Sequence, residues 1–336
     1  MSRVILRLTW GCFVIRSGIM KIIYLGSGEF GIECLNALHQ PSNHIELVIT
    51  QPAQPAGRGQ KIRETPVCTW AKEKHLPIIE PDDVNSPQVV EKVKQAGADI
   101  AVVIAFGQKI GGELISQAPK GAINVHASLL PKYRGAAPIN WAIINGEKQT
   151  GVSIITVAEK MDAGDVIAQC VTDIGPDETT EQLGKRLSRL AAPLLVKTLA
   201  LIEQGKAVYQ PQDESKVTRA PKLKKSDGFI DFNESAETIR RKILGLSPWP
   251  GAAVSYISKK TGKSCRVIIG WAQVIGTGNP DKLSAGTVDK DLNIICGRDA
   301  LKITRIKPAG GSVMNFNDFV NGRGVSSGDF FARVED

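Results

Sequence analysis

The sequence predicts an α/β chain in which a doubly wound, mostly parallel sheet is followed by a small OB-like β-barrel domain. Three observations carry this. From Met20 onward, short apolar runs alternate with helical stretches in strict rotation, the pattern of a parallel sheet with helices on both faces. Runs such as AVVIA at 101–105 are apolar without a break, as strands covered on both sides are. Past residue 227 the rhythm changes to short strands spaced by glycine and asparagine turns, which suits a small barrel or sandwich.

Each element can be justified in order. KIIYLG (21–26) reads as a buried strand, GIECLNALHQ (31–40) as a helix and IELVIT (45–50) as a second strand. After a polar loop come a helix near TPVCTWAKEKH (65–75), the short strand LPIIE (76–80) and the amphipathic helix QVVEKVKQAG (88–97). The strand DIAVVIAF (99–106), a helix near GGELISQA (111–118) and the strand INVHAS (123–128) continue the rotation. GVSIITVAEK (151–160) and DVIAQCVTDI (165–174), separated by MDAG, read as antiparallel edge strands, and a long helix across 179–205 closes a first domain spanning 20–207. Residues 208–226 are polar, proline-containing and basic with no apolar period, which reads as a linker. The second domain, 227–332, opens with a helix near SAETIRRKILGL and continues as strands at 252–259, 265–274, 286–297 and 300–310. Residues 1–19 hold Arg3, Arg7 and Arg16 around an apolar run too short to span a bilayer, with no small-residue cleavage site. They are expected to lie outside the fold, as an extension created by a start codon set upstream of Met20.

Composition narrows the class without naming a function. The six cysteines, Cys12, Cys34, Cys68, Cys170, Cys265 and Cys296, form no C-x-x-C pair, so neither a zinc site nor a disulfide framework is suggested and a reducing, cytoplasmic setting is expected. Of the four histidines, His39, His44 and His75 lie in polar surroundings, leaving His126 as the exception. The charge is uneven: residues 208–336 carry 20 Lys and Arg against 14 Asp and Glu, or +6 of the net +8. A basic second half suits a polyanionic partner, although a solvated cationic surface gives the same count.

Two motifs compete for the chemistry. GSGEFG, with Gly26, Gly28 and Gly31, follows a strand and precedes a helix, which is the dinucleotide fingerprint in its proper context and points to an NAD-dependent oxidoreductase. That fingerprint also needs an acid at the end of the second strand to hold the ribose, and here the strand ends in Thr50 and Gln51. The glycines equally permit a tight turn with no nucleotide. The other motif is INVHASLLPKYRG, residues 123–135. Strand side chains alternate, so Asn124 and His126 share one face while Ile123 and Val125 pack on the other. Such a pair suits buried polar residues satisfied by backbone, or a donor pair at the carboxyl end of a strand, where α/β ligand crevices form.

The surrounding residues separate those two possibilities. Asn124, His126, the SLLP run from Ser128 to Pro131, then Arg134, Gly135 and Pro138, and finally Asp162 in the turn MDAGD, stand at fixed offsets. This set resembles the folate-dependent formyltransferase family, and the resemblance runs from Met20 to about residue 320. The loop TQPAQPAGRGQKIRETPV, the stretch PKLKKSDGFIDF and LSPWP at 246–250 resemble segments of the branch that acts on a charged initiator tRNA. Two departures occur, GSGEFG for the usual G-T-P-x-F and HASLLP for the commoner HGSLLP.

The resemblance implies transfer of a formyl group from 10-formyltetrahydrofolate to the α-amine of initiator methionyl-tRNA. It implies Asn124, His126 and Asp162 as catalytic residues: the amide and a cationic imidazole as oxyanion donors, and the carboxylate as proton relay. Ser128, Leu129, Leu130 and Pro131 would form one wall of the folate crevice and the backbone of Ile104, Ala105 and Phe106 would meet the pterin, with Leu130-Pro131 a candidate cis bond. Arg58, Lys61 and Arg63 would enter the acceptor stem. Lys222, Lys224 and Lys225, with Lys216, Arg219, Arg240 and Arg241, would neutralise phosphates. No metal, membrane or second subunit is called for; a monomer suffices.

Overall fold

The computed structural model describes residues 19–41, 43–56, 61–276 and 283–335. The expectation for the first nineteen residues therefore lies, save for Ile19, outside the described residues, as does the role expected of Arg58. The first half of the chain contains β1 (Met20–Gly26), α1 (Ile32–Leu38), β2 (Asn43–Ile49), β3 (Gln54–Ala56), β4 (Lys61–Arg63), α2 (Pro66–Glu73), β5 (Ile78–Ile79) and α3 (Pro87–Ala96). It continues through β6 (Ile100–Ile104), α4 (Gly112–Ile115), β7 (Ala122–His126), α5 (Pro138–Ile144), β8 (Gln149–Thr156), β9 (Val166–Asp173) and α6 (Thr180–Glu203).

Seven of these strands form one sheet in the order β5-β2-β1-β6-β7-β8-β9. The pairs from β5 to β7 are parallel, and the last two, β7 with β8 and β8 with β9, are antiparallel. The sheet is mostly parallel and doubly wound because its strands bury both faces. Along β1, Ile22 and Tyr24 enter a core shared with α1, α2 and α6, while Ile23 and Leu25 enter another shared with α3 and α4. Local chemistry sets the helix ends. Thr65 caps α2 by accepting the Cys68 N–H at 3.0 Å, with Pro66 at the first helical position, and Thr179 and Gln182 close a capping box on α6.

The second half contains α7 (Ala236–Gly245), β10 (Ala252–Ile257), β11 (Ser264–Ile275), β12 (Ile294–Ile295), β13 (Ala300–Pro308), β14 (Met314–Asn315), α8 (Phe316–Arg323) and β15 (Phe330–Arg333). Its sheet runs β12-β13-β11-β10-β15, all antiparallel, around a separate core that holds Phe232, Tyr256, Phe319 and Phe331. Residues 286–288 bridge both outer strands: Thr287 pairs with Phe330, and Val288 with Ile294. The sheet thereby becomes a nearly closed barrel. A single strand was expected over 286–297. Instead the chain folds back at Asp289, whose carboxylate accepts the N–H groups of Asp291 (2.9 Å) and Asn293 (2.8 Å), an Asx-type turn.

The stretch 208–226 runs along the first domain rather than away from it. Gln210 pairs with Val166 and Arg219 with Arg134, and Ala220 and Leu223 are buried. Helix α7 then packs on α5, where the Gly245 carbonyl accepts bonds from Asn140 Nδ2 and Thr180 Oγ1, both at 2.7 Å. No helix among the described residues is long and apolar enough to cross a membrane.

Candidate active site

The parallel strands all end on one edge of the main sheet, and that edge carries the polar residues singled out by the sequence. Strand β7 places Ile123 and Val125 in the core beneath α6 and presents Asn124 and His126 on its other face. The turn between β8 and β9 brings Asp162 to them. Asn124 Nδ2 donates to Asp162 Oδ1 at 3.3 Å, and His126 Nδ1 stands 3.7 Å from Asp162 Oδ2. The same Oδ2 accepts the Gly135 N–H at 2.8 Å. On the far side of the imidazole, Nε2 lies 2.9 Å from the Tyr133 carbonyl. A carbonyl only accepts, so Nε2 carries a hydrogen there. A second hydrogen on Nδ1 would face the Asp162 carboxylate.

The backbone around these groups is held in an unfavourable conformation. Six non-glycine residues among those described have positive φ, and three of them, Ala105 (48°), Tyr133 (64°) and Asp162 (54°), belong to this edge of the sheet and its loops. Strain of this kind persists only where surrounding structure over-determines it, and it gathers at functional sites. Gly135 has φ of 131°, and a Cβ there would overlap the Ala220 carbonyl oxygen. Only glycine fits this position of the R-G-x-x-P motif.

The SLLP turn is tied from behind. Ser128 Oγ donates to the Lys132 carbonyl (2.6 Å), Ser153 Oγ accepts the Leu130 N–H (3.0 Å), and Gln169 Nε2 donates to the Leu130 carbonyl (2.9 Å). Ser128 and Leu130 are thus buried and shape the turn, while Leu129 and Pro131 are the half-buried members. The Leu130-Pro131 bond is cis, as expected. Across the edge, Ile104 and Phe106 are buried and Ala105 is exposed. Sequence reasoning missed Tyr133, whose carbonyl meets the His126 ring, and Ser153 and Gln169, whose side chains bond the main chain of the SLLP turn and each other, contacts that no residue pattern signals.

The glycine turn has a different occupant from the one its spacing suggests. A Cβ on Gly31 would overlap the Tyr24 hydroxyl, and one on Gly26 would lie 2.6 Å from the Ile104 carbonyl and 2.7 Å from the Tyr24 ring. Tyr24 is fully buried, and burial holds its phenol well above the usual range. At the end of β2, where a dinucleotide fold needs its acid, Thr50 is buried with Oγ1 2.6 Å from Thr65 Oγ1. The glycines make room for a tyrosine, and nothing at this turn supports an oxidoreductase.

The expected tRNA residues divide into two groups. Lys61 and Arg63 are exposed on the β3–β4 hairpin, which rises from the carboxyl end of β2 and so from the active-site edge. Lys222, Lys224 and Lys225 are exposed along the interdomain segment. Arg240 and Arg241 are occupied instead. Arg240 pairs with Glu237 at 2.9 Å and Asp177 at 3.0 Å, and Arg241 reaches Glu237 and the Asn145 carbonyl, so both brace α7 against the first domain. Lys216 is paired with Asp213 at 2.6 Å.

Comparison with known proteins identifies the family. A formyl transferase model matches residues 20–199, and a formyl transferase C-terminal domain model matches residues 222–324. The methionyl-tRNA formyltransferase of Trichlorobacter lovleyi is 39% identical over 308 residues, which cover 92% of this chain and 96% of that one. The methionyl-tRNA formyltransferase of Citrifermentans bemidjiense is 37% identical over 316 residues, 94% of this chain and 98% of that one. Among solved structures, HypX from Aquifex aeolicus in complex with tetrahydrofolic acid aligns with a TM-score of 0.57 at 18% identity, over 92% of this chain and 48% of that chain, a likeness of fold alone. With both domains matched in order and identity sustained over nearly the whole length, the chain belongs to the formyl transferase family, among the methionyl-tRNA formyltransferases.

Proposed function

We propose that the chain transfers the formyl group of 10-formyltetrahydrofolate to the α-amine of initiator methionyl-tRNA. The observation that carries this reading is the convergence of Asn124, His126 and Asp162 on one edge beside the SLLP turn, in a chain of this family. The amine attacks the formyl carbon, a tetrahedral oxyanion forms, and the bond from that carbon to N10 of the folate breaks. Asn124, through the Nδ2 hydrogen that Asp162 does not take, and His126, through an Nδ1–H that stands beyond hydrogen-bond distance of Asp162, donate to the oxyanion. Asp162, directly or through a water, takes the proton the amine loses and returns it to N10. The step as written uses no metal.

Leu129 and Pro131, shaped by Ser128 and Leu130, make one wall of the folate crevice, and the main chain of Ile104, Ala105 and Phe106 meets the pterin. The tetrahydrofolic acid bound by HypX supports a folate in this fold. Lys222, Lys224 and Lys225 neutralise tRNA phosphates. The hairpin carrying Lys61 and Arg63, together with Arg58, meets the acceptor stem and tests its shape.

Incubation with charged initiator tRNA and 10-formyltetrahydrofolate should yield N-formylmethionyl-tRNA. Failure to formylate, with saturable nicotinamide binding in its place, overturns the reading. Arg58→Leu should raise KM for the tRNA and leave folate affinity as it was. Equal loss for both substrates removes the hairpin from tRNA recognition.

A further inference from the structure

The segment joining the two domains reaches into the active site. Gln212 Nε2 donates to the main-chain carbonyls of Asp162 (2.8 Å) and Gly164 (2.7 Å), and its Oε1 accepts from Nε (3.1 Å) and Nη2 (2.9 Å) of Arg134. Both amide hydrogens and the oxygen are used, so the side chain's bonding capacity is spent on tying the Asp162 turn to the loop that follows SLLP. Arg134 is 1% exposed, and its carboxylate partner, Glu214 at 2.7 Å, belongs to the same segment. A guanidinium buried this deeply gives weak support to stability on its own account. Thr218, a few residues on, accepts the Tyr133 N–H at 2.9 Å, and Tyr133 is the residue whose carbonyl holds the His126 ring.

We infer that Gln212 is a positioning residue for formyl transfer, and this rests on the function proposed above. Asp162 sits at a φ of 54°, and of its side-chain bonds the one to Gly135 N–H is short (2.8 Å) while the one to Asn124 is long at 3.3 Å, so one carboxylate oxygen alone is firmly tied and the turn needs main-chain support as well. Gln212 holds it from the main-chain side. The carboxylate then meets Gly135, Asn124 and His126 together. The identity of residue 212 thereby controls turnover while lying outside the set that touches the substrates.

Two substitutions test this in the full-length protein. Gln212→Leu keeps the size and removes every polar contact. Gln212→Glu keeps an acceptor for Arg134 and loses both donors to the carbonyls. The kcat of both should fall about ten- to a hundredfold, the scale of an ångström of misplacement. KM for each substrate should stay near the parent value when measured well below each variant's unfolding midpoint, which falls because the two carbonyls, and in Gln212→Leu also Arg134, lose a partner. Parent-like kcat in either variant, or a loss shared equally by kcat and KM, overturns the assignment. If Gln212→Leu does not fold, Gln212→Glu decides alone. A parent protein inactive on charged tRNA counts against the proposed function instead, and a crystal structure of a folded Gln212 variant then judges the positioning role. An Asp162 carboxylate out of reach of the Gly135 N–H supports it; one still bonded there refutes it.

Discussion

The glycine turn at 26–31 and the segment 124–135 both look like sites in the sequence, stand at the ends of two parallel strands, β1 and β7, that flank β6, and differ in what fills the space beside them. Next to Gly26 and Gly31 that space is taken by Tyr24, whose hydroxyl is buried without a hydrogen-bond partner among the described residues. Beside Asn124 and His126 a carboxylate arrives from a turn 38 positions away and is held there by Gly135 and Gln212. Glycine spacing serves close packing as readily as it serves a pyrophosphate. Polar groups converging under backbone strain have no packing purpose of that kind.

The comparison breaks most sharply at the chemistry. Asn124→Ala and His126→Ala should each lower kcat by about two to three orders of magnitude, the usual cost of one oxyanion donor, with the fold intact by circular dichroism. Retention of near-parent turnover by either would return that residue to a structural role. Gly135→Ala should cost about 1–3 kcal/mol in urea denaturation, because the new Cβ meets the Ala220 carbonyl and φ of 131° disfavours any side chain. It should also lower kcat, since the Gly135 N–H holds Asp162.

The glycine turn gives smaller effects, and stability is the quantity that moves. Gly31→Ala should destabilise by about 1–3 kcal/mol through overlap with the Tyr24 hydroxyl. Made in a Tyr24→Phe background it should cost clearly less, and a double-mutant cycle measures that coupling. Equal costs in both backgrounds would show that the tyrosine is not what the glycine accommodates. Tyr24→Phe alone should be neutral or stabilising by up to about 1 kcal/mol, since it removes an unsatisfied buried hydroxyl.

Much of this was legible in advance, for reasons that can be named. The strand and helix rotation is written in apolar periodicity, and the two antiparallel strands after residue 148 are marked by MDAG between them. The trio Asn124, His126 and Asp162 was found through fixed offsets that resemble a known family. The course of residues 208–226 was hidden, because their partners are main-chain carbonyls and a buried arginine about 80 positions back. A polar stretch without apolar period reads as a linker whether it hangs free or is pinned by single hydrogen bonds. Arg240 and Arg241 were read as phosphate contacts for the same reason: sequence gives their charge, while the carboxylates that occupy it, Asp177 and Glu237, are set by how α7 packs.

In the proposed reaction the Asp162 carboxylate serves as proton relay between the attacking amine and the folate nitrogen. The most direct measurement is the single-turnover rate of formyl transfer by Asp162→Ala at saturating folate donor and charged tRNA. A fall of about a hundredfold or more, with both substrates still bound, is the predicted result. A rate within a few-fold of the parent would contradict it.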